Sequence, residues 1–241
     1  MIMNSAANVV NIVFNSVLSS FGNLIATESK DRQYELFKVY RFAASWIYGF
    51  AAVGFAILLT PFITLWVGAE RTLAFSVIGC ILIDFYFKGE RIVLSNFKTA
   101  AGVFEQDKYL ALIQGVVNLI ISIVLVVRIG LVGVYIGTIV SGLIANVTKP
   151  IIIYHVILDR KAGEYFRDSV KYCLLLVVQY GIFYGISGII MKEITILTFL
   201  VMLVIICVVF NGIFLMVFRK AGEFQYLVTI VRRKIDERKV R

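Results

Sequence analysis

Histidine occurs once in this 241-residue chain, at His155, and cysteine three times, at Cys80, Cys173 and Cys207. There is no CxxC pair and no Cys/His cluster, so a zinc or haem site lacks a ligand set; neither metal nor cofactor is expected. Each cysteine lies inside an apolar run and reads as a small buried hydrophobe. His155, at the end of a helix, reads as an interfacial residue rather than a proton relay. A His-dependent catalyst has little to work with, and no enzymatic activity is expected. Charge is also scarce. Only 16% of the residues are charged, against roughly a quarter in soluble domains. The opening MIMNSAANVV has no basic segment before its apolar residues, so it does not read as a signal peptide.

What is abundant is apolar. Hydrophobic residues make up 60% of the chain, in runs of about twenty, enough to cross a hydrocarbon core about 30 Å thick. Alternating ten-residue strands, the mark of a membrane β-barrel, are missing. The fold class is therefore all-α, a polytopic membrane helix bundle. Seven transmembrane helices are expected, at roughly 2–27, 42–67, 72–100, 108–128, 131–157, 170–190 and 194–218. A tail, 219–241, follows.

The net charge of +9 would suit nucleic acid, but its distribution argues against that partner. Alternate connections and the tail hold twenty of the 24 basic residues. They include Lys30, Arg32, Lys38 and Arg41, then Arg160, Lys161, Arg167 and Lys171, and eight more in the tail. The intervening turns hold Arg71, Arg128 and Lys192, and Lys149 lies inside the fifth helix. Basic loops stay in the cytoplasm, so the N-terminus is expected outside and the C-terminus inside. In the tail, Phe224, Leu227, Val228, Val231 and Ile235 share one helical face opposite Arg232, Arg233 and Lys239. That pattern reads as a basic amphipathic helix on anionic membrane lipid.

Polar residues inside the apolar runs mark the candidate sites. Asn4, Asn8, Asn11 and Asn15 form one stripe of the first helix, continued by Ser19, and are expected to line a water-filled cavity. Gln114, Asn118 and Ser122 form another in the fourth helix. In the fifth, Gly133, Gly137, Ser141 and Ala145 have the small-xxx-small spacing that lets two helices approach closely. With Gly130 between them, helices four and five are expected to form a tight antiparallel hairpin. The sixth and seventh helices, mostly apolar, are expected to face lipid.

The third helix carries the most charge. Asp84, Lys88, Arg91, Ser95 and Lys98 fall on one face at helical spacing. Asp84 lies ~18 Å into the membrane at 1.5 Å per residue, close to the middle, where an ionisable residue is a functional candidate. Two readings stand. Asp84 and Lys88 form an i,i+4 pair while Arg91 and Lys98 reach to the interface. Alternatively, Lys88, Arg91 and Lys98 form a cationic ladder for a phosphate group, arginine giving bidentate contact and lysine a point charge. Asp84 is then a weak candidate for ion coupling.

Asn118-Leu, the Gly130-x-x-Gly133 turn and Thr138-x-x-Ser141 together resemble the conserved hairpin of the polysaccharide flippases. These are the O-antigen and capsule-unit transporters of the multidrug/oligosaccharidyl-lipid/polysaccharide exporter superfamily. Pro61 to Gly68 (PFITLWVG) resembles the family's outer-end segment, as does Ala101-Gly102 before Asp107-Lys108-Tyr109. The likeness covers roughly residues 15–160; the last two helices fit by position. It implies the second lobe of a two-lobed exporter of the bacterial inner membrane, working by alternating access. The cargo it implies is an oligosaccharide linked to undecaprenyl pyrophosphate, with Lys88, Arg91, Lys98, Asn118 and Gln114 as candidate substrate contacts. Since a single lobe has nothing to rock against, the expectation is a partial chain lacking the first lobe, or a partner subunit supplying it. A drug/cation antiporter of the same superfamily is the alternative, but it would favour buried carboxylates over a basic face. A membrane enzyme of polysaccharide assembly would need a sizeable catalytic loop, which the short outer turns do not offer.

Overall fold

The computed structural model describes the backbone of residues 2–16 and 18–239, and the side chains in that range except those of residues 2, 6, 231 and 233–239. Those residues form ten α-helices and no strands. In order they are α1 (Ile2–Asn15), α2 (Leu18–Thr27), α3 (Lys30–Val67), α4 (Phe75–Ala100) and α5 (Leu110–Ile129). They continue with α6 (Leu131–Ile152), α7 (Gly163–Ile190), α8 (Ile196–Ile205), α9 (Asn211–Phe218) and α10 (Gly222–Lys239). A π-helical turn, Ile153–Ile157, extends α6, and a second, Ile206–Phe210, joins α8 to α9.

Six helical stretches among the described residues are long and apolar enough to cross a membrane: Met3–Thr27, Lys30–Val67, Glu105–Ile129, Leu131–Ile157, Gly163–Ile190 and Ile196–Phe218. The protein thus has the make-up of a multi-pass membrane protein. α4 is not among the six, because every 18-residue window in it includes Asp84, Lys88, Glu90 and Arg91. It nevertheless packs against α1, α2, α3 and α6.

Two boundaries differ from the hydropathy reading. Over the expected helix at 2–27, α1 and α2 lie on either side of residue 17, which is outside the described residues, and together they make the single apolar stretch Met3–Thr27. The carbonyl of Phe14 accepts a hydrogen bond from the Asn96 amide of α4 at 3.0 Å. The segment 28–41, read as a connection, is helical from Lys30. Ser29 caps it by accepting from the Arg32 N–H at 3.3 Å, and no glycine or proline interrupts it before Gly49. α3 is therefore 38 residues long, about 57 Å at the α-helical rise, nearly twice the hydrocarbon thickness. Likewise α7 begins at Gly163, seven residues before the apolar run. Charged ends escape a hydropathy window but not the helix.

The overhanging ends are tied together. The Lys30 Nζ donates to the Ile157 carbonyl at 2.5 Å, and Asp31 pairs with Arg160 at 2.5 Å. Tyr34 donates to Glu164 at 2.5 Å, and Lys38 lies 3.6 Å from Glu223 of α10. One end of the bundle is thus a charged collar of α3, the α6–α7 connection and α10. The tail's position is narrower than expected. Phe224 and Leu227 pack on the apolar cluster around Phe42 and Phe214, so they face protein rather than lipid. The side chains of Val231, Ile235, Arg233 and Lys239 lie outside the described residues.

The apolar surface is extensive on α5, α7 and α8, where Leu112, Val127, Val177, Ile189 and Leu197 are exposed. α7 is not wholly outward, since Tyr172, Gln179 and Phe183 are buried. Nor are the cysteines buried: Cys80 and Cys173 are half-buried and Cys207 is exposed.

Candidate functional site

The charged face of α4 turns toward α6, and nearly every group on it has a partner within the chain. Asp84 and Lys88 form the local i,i+4 pair at 2.6 Å, the lysine side chain 60% exposed and the carboxylate 14%. Arg91 crosses to α6, where its Nη1 donates to the Gly142 carbonyl at 2.6 Å. A Cβ on residue 142 would come within 3.1 Å of that nitrogen, so a small residue there keeps the crossing open. Further along, Lys149 of α6 donates to Ser95 Oγ at 3.0 Å. Lys98 then donates to both oxygens of Asp107, at 2.9 and 2.7 Å.

The three cations of the expected ladder therefore differ in kind. Lys88 is an exposed member of a local pair. Lys98 is locked to a carboxylate that is itself only 8% exposed. Arg91 alone is held by a neutral oxygen, and among the described residues no carboxylate forms an ion pair with it. Asp84 is tied to Lys88, so its charge is compensated.

Asn118 and Gln114 serve the helices rather than an open cavity. The Asn118 amide donates to Thr138 Oγ1 at 3.2 Å and to Ser141 Oγ at 3.3 Å. Ser122 donates to the Val134 carbonyl at 3.3 Å. Gln114 returns to the Leu110 carbonyl of its own helix at 3.1 Å. These bonds need the helices close. A Cβ on Gly133 would lie 2.5 Å from the Leu125 carbonyl carbon, and one on Gly137 would collide with Ser122 Oγ. Hence the Asn-Leu, Gly-x-x-Gly and Thr-x-x-Ser residues act together as the lock of the α5–α6 hairpin.

Asn4, Asn8 and Asn15 are exposed, whereas Asn11 is half-buried and accepts a hydrogen bond from the Tyr48 hydroxyl. None of the expected site residues lines the apolar groove of about 480 Å³ between α3, α4 and α7. None lines the groove of about 530 Å³ beneath α10 either.

The most buried charges among the described residues are a pair that hydropathy and spacing passed over. Arg41 of α3 is 3% exposed and Glu90 of α4 is 5% exposed. The Arg41 Nη2 lies 3.8 Å from Glu90 Oε2, and Ser169 of α7 bridges them. It accepts from Arg41 at 2.6 Å and donates to Glu90 at 3.4 Å. The same nitrogen donates to the Tyr165 carbonyl at 2.7 Å. The guanidinium lies 3.6 Å from the Tyr165 ring centroid, a cation–π contact that strengthens where water is excluded. Ser45 and Tyr86 donate to the other Glu90 oxygen. One ion pair thus joins α3, α4 and α7 at the level where the uncharged runs of α3 and α7 begin. The signal available for it was faint: Arg41 and Ser45 four apart, Tyr86 and Glu90 four apart, and Tyr165, Ser169 and Tyr172 on one stripe.

No family model matches the chain, and neither a curated protein nor a solved structure is significantly similar to it.

Proposed function

We propose that the chain is one lobe of a transporter that moves lipid-linked oligosaccharide, carried on a polyprenyl pyrophosphate, across the bacterial inner membrane by alternating access. The observation that carries this reading is Arg91. It is a half-buried guanidinium between two membrane-embedded helices, bound to a neutral carbonyl, and hence with charge to spare for an anion. In this reading α4 is a seventh span, its polar face turned inward as intramembrane charges require. The collar of α3, the α6–α7 connection and α10 lies in the cytoplasm, by the excess of basic residues there. The resemblance of the α5–α6 hairpin to the polysaccharide flippases supports the cargo class. Exposed Asn4, Asn8 and Asn15 would face the opposing lobe across the transport path, where asparagine amides meet water instead of lipid.

A drug or cation antiporter is the second reading, and Glu90 is the observation that favours it, as a buried carboxylate inside the bundle. Its charge is already matched by Arg41, which leaves less for a cationic cargo. The two readings separate experimentally. Deleting the gene in its host should remove surface polysaccharide and leave lipid-linked units on the cytoplasmic leaflet. Normal surface polysaccharide together with heightened sensitivity to cationic drugs would exchange the first reading for the second.

A further inference from the structure

The groove of about 530 Å³ beneath α10 holds none of the residues assigned to the transport path, and its walls change character along its length. Arg41 marks the level where the uncharged run of α3 begins. Along α3 the groove extends from Leu36, five residues to the charged side, to Ile47, six residues to the apolar side. Those distances are ~8 Å and ~9 Å at the helical rise. The headgroup region of a bilayer adds about 5–8 Å on each side of the hydrocarbon. The groove therefore straddles the boundary between the polar and apolar layers of a membrane, where a phospholipid lies.

Its two ends fit that molecule. At the apolar end Ala43 and Ile47 are joined by Val13 and by Phe14, whose ring centroid is 6.0 Å from that of Tyr48. Val13 and Ile47 are exposed, so this end is open to lipid. At the charged end Thr27 and Glu28 line the groove just before the Ser29 cap of α3. Tyr226 of α10 lines it too, and Arg32 donates to the Tyr226 hydroxyl at 3.1 Å. The Arg32 guanidinium also pairs with Glu35 at 3.0 Å, but that contact is exposed and exposed pairs hold weakly in water. Glu28 is exposed and in no ion pair among the described residues. This end of the groove thus offers a guanidinium to a phosphate and a carboxylate to an ammonium.

We propose that the groove binds phosphatidylethanolamine, with one acyl chain against Ala43 and Ile47, the phosphate at Arg32 and the ammonium at Glu28. A primary ammonium donates hydrogen bonds to a carboxylate, which the quaternary ammonium of phosphatidylcholine cannot. Phosphatidylglycerol carries the phosphate but brings no cation to Glu28. Because Leu227 and Ile230 form the α10 side of the groove, the lipid ties α10 to α2 and α3. The site is independent of the cargo.

The full chain in phosphatidylcholine nanodiscs tests it, with a phosphatidylethanolamine carrying a photoreactive diazirine midway along one acyl chain as the probe. Mass spectrometry maps the labelled residues of the unaltered protein, so the measurement does not depend on a variant that folds. Labelling should concentrate on residues 13–24, 36–47 and 226–230, well above the exposed face of α5. Unlabelled phosphatidylethanolamine should displace it, and an equal amount of phosphatidylglycerol should leave most of it in place. Glu28→Gln should reduce that preference about fivefold, the effect an exposed ion pair supports. Ala43→Trp should fill the groove and abolish its labelling while the labelling of α5 is unchanged. Labelling of the groove no denser than that of α5, or equal competition by phosphatidylglycerol, overturns the proposal. An unchanged preference in Glu28→Gln does the same.

Discussion

Arg41 and Glu90 show how little a charge's position along the chain says about its surroundings. By sequence Arg41 belongs to a basic connection and Glu90 to the charged half of α4; in the structure they are the two most buried charges among the described residues, bridged by Ser169. Removing one member of such a pair leaves the other charged in a place without water, typically a loss of 3–5 kcal/mol. Arg41→Met and Glu90→Gln should each destabilise the protein by about that much, seen as a lowered unfolding temperature in detergent. The double variant should recover part of the loss, because neither charge is then stranded. If the double variant loses the sum of the two, the residues are not coupled.

At the scale of elements, glycine separates contact from vacancy. Gly133 faces the Leu125 backbone so closely that a Cβ would sit 2.5 Å from its carbonyl carbon, whereas Gly115, on the same hairpin, has nothing within 4 Å. Gly133→Ala should therefore force α5 and α6 apart, at a cost of about 1–3 kcal/mol. It would also lengthen the Asn118 bonds to Thr138 and Ser141. Gly115→Ala should be neutral, or stabilising by up to about 1 kcal/mol through helix propensity. Thermal unfolding of the two variants side by side checks this, and equal losses would contradict it. The spacing of the small residues was readable from the chain, as was the closeness it implies. That Asn118 spends its amide on the hairpin was not, because a polar stripe looks the same facing a neighbouring helix as facing a cavity.

For the whole molecule, the charged collar gathers the basic connections at one end and the short turns at the other. Sidedness follows if the positive-inside bias holds. In a background with Cys80, Cys173 and Cys207 replaced by serine, an impermeant maleimide should label Glu70→Cys in intact cells. Lys220→Cys should react only after permeabilisation. Both positions are exposed, so access to reagent and not burial decides the result. The opposite pattern inverts the orientation and removes the cytoplasmic entry from the proposed path.

The apolar runs by themselves determined the class: helices long enough to span a bilayer, their approximate centres, and the small-residue seam of α5 and α6. These are local properties, since length, hydropathy and spacing act within one segment. Only the tertiary structure decided where the helices end, because a charged stretch such as Lys30–Lys38 costs nothing once it overhangs the apolar core and pairs with α7 and α10. It also sorted the charges. Asp84 and Lys88 satisfied each other, Lys98 found Asp107, and Arg41 found Glu90 across a gap of 49 residues in sequence. Arg91 and Lys149 were left beside neutral oxygens. Which charges remain unspent depends on every neighbour at once, and no window along the chain contains that information.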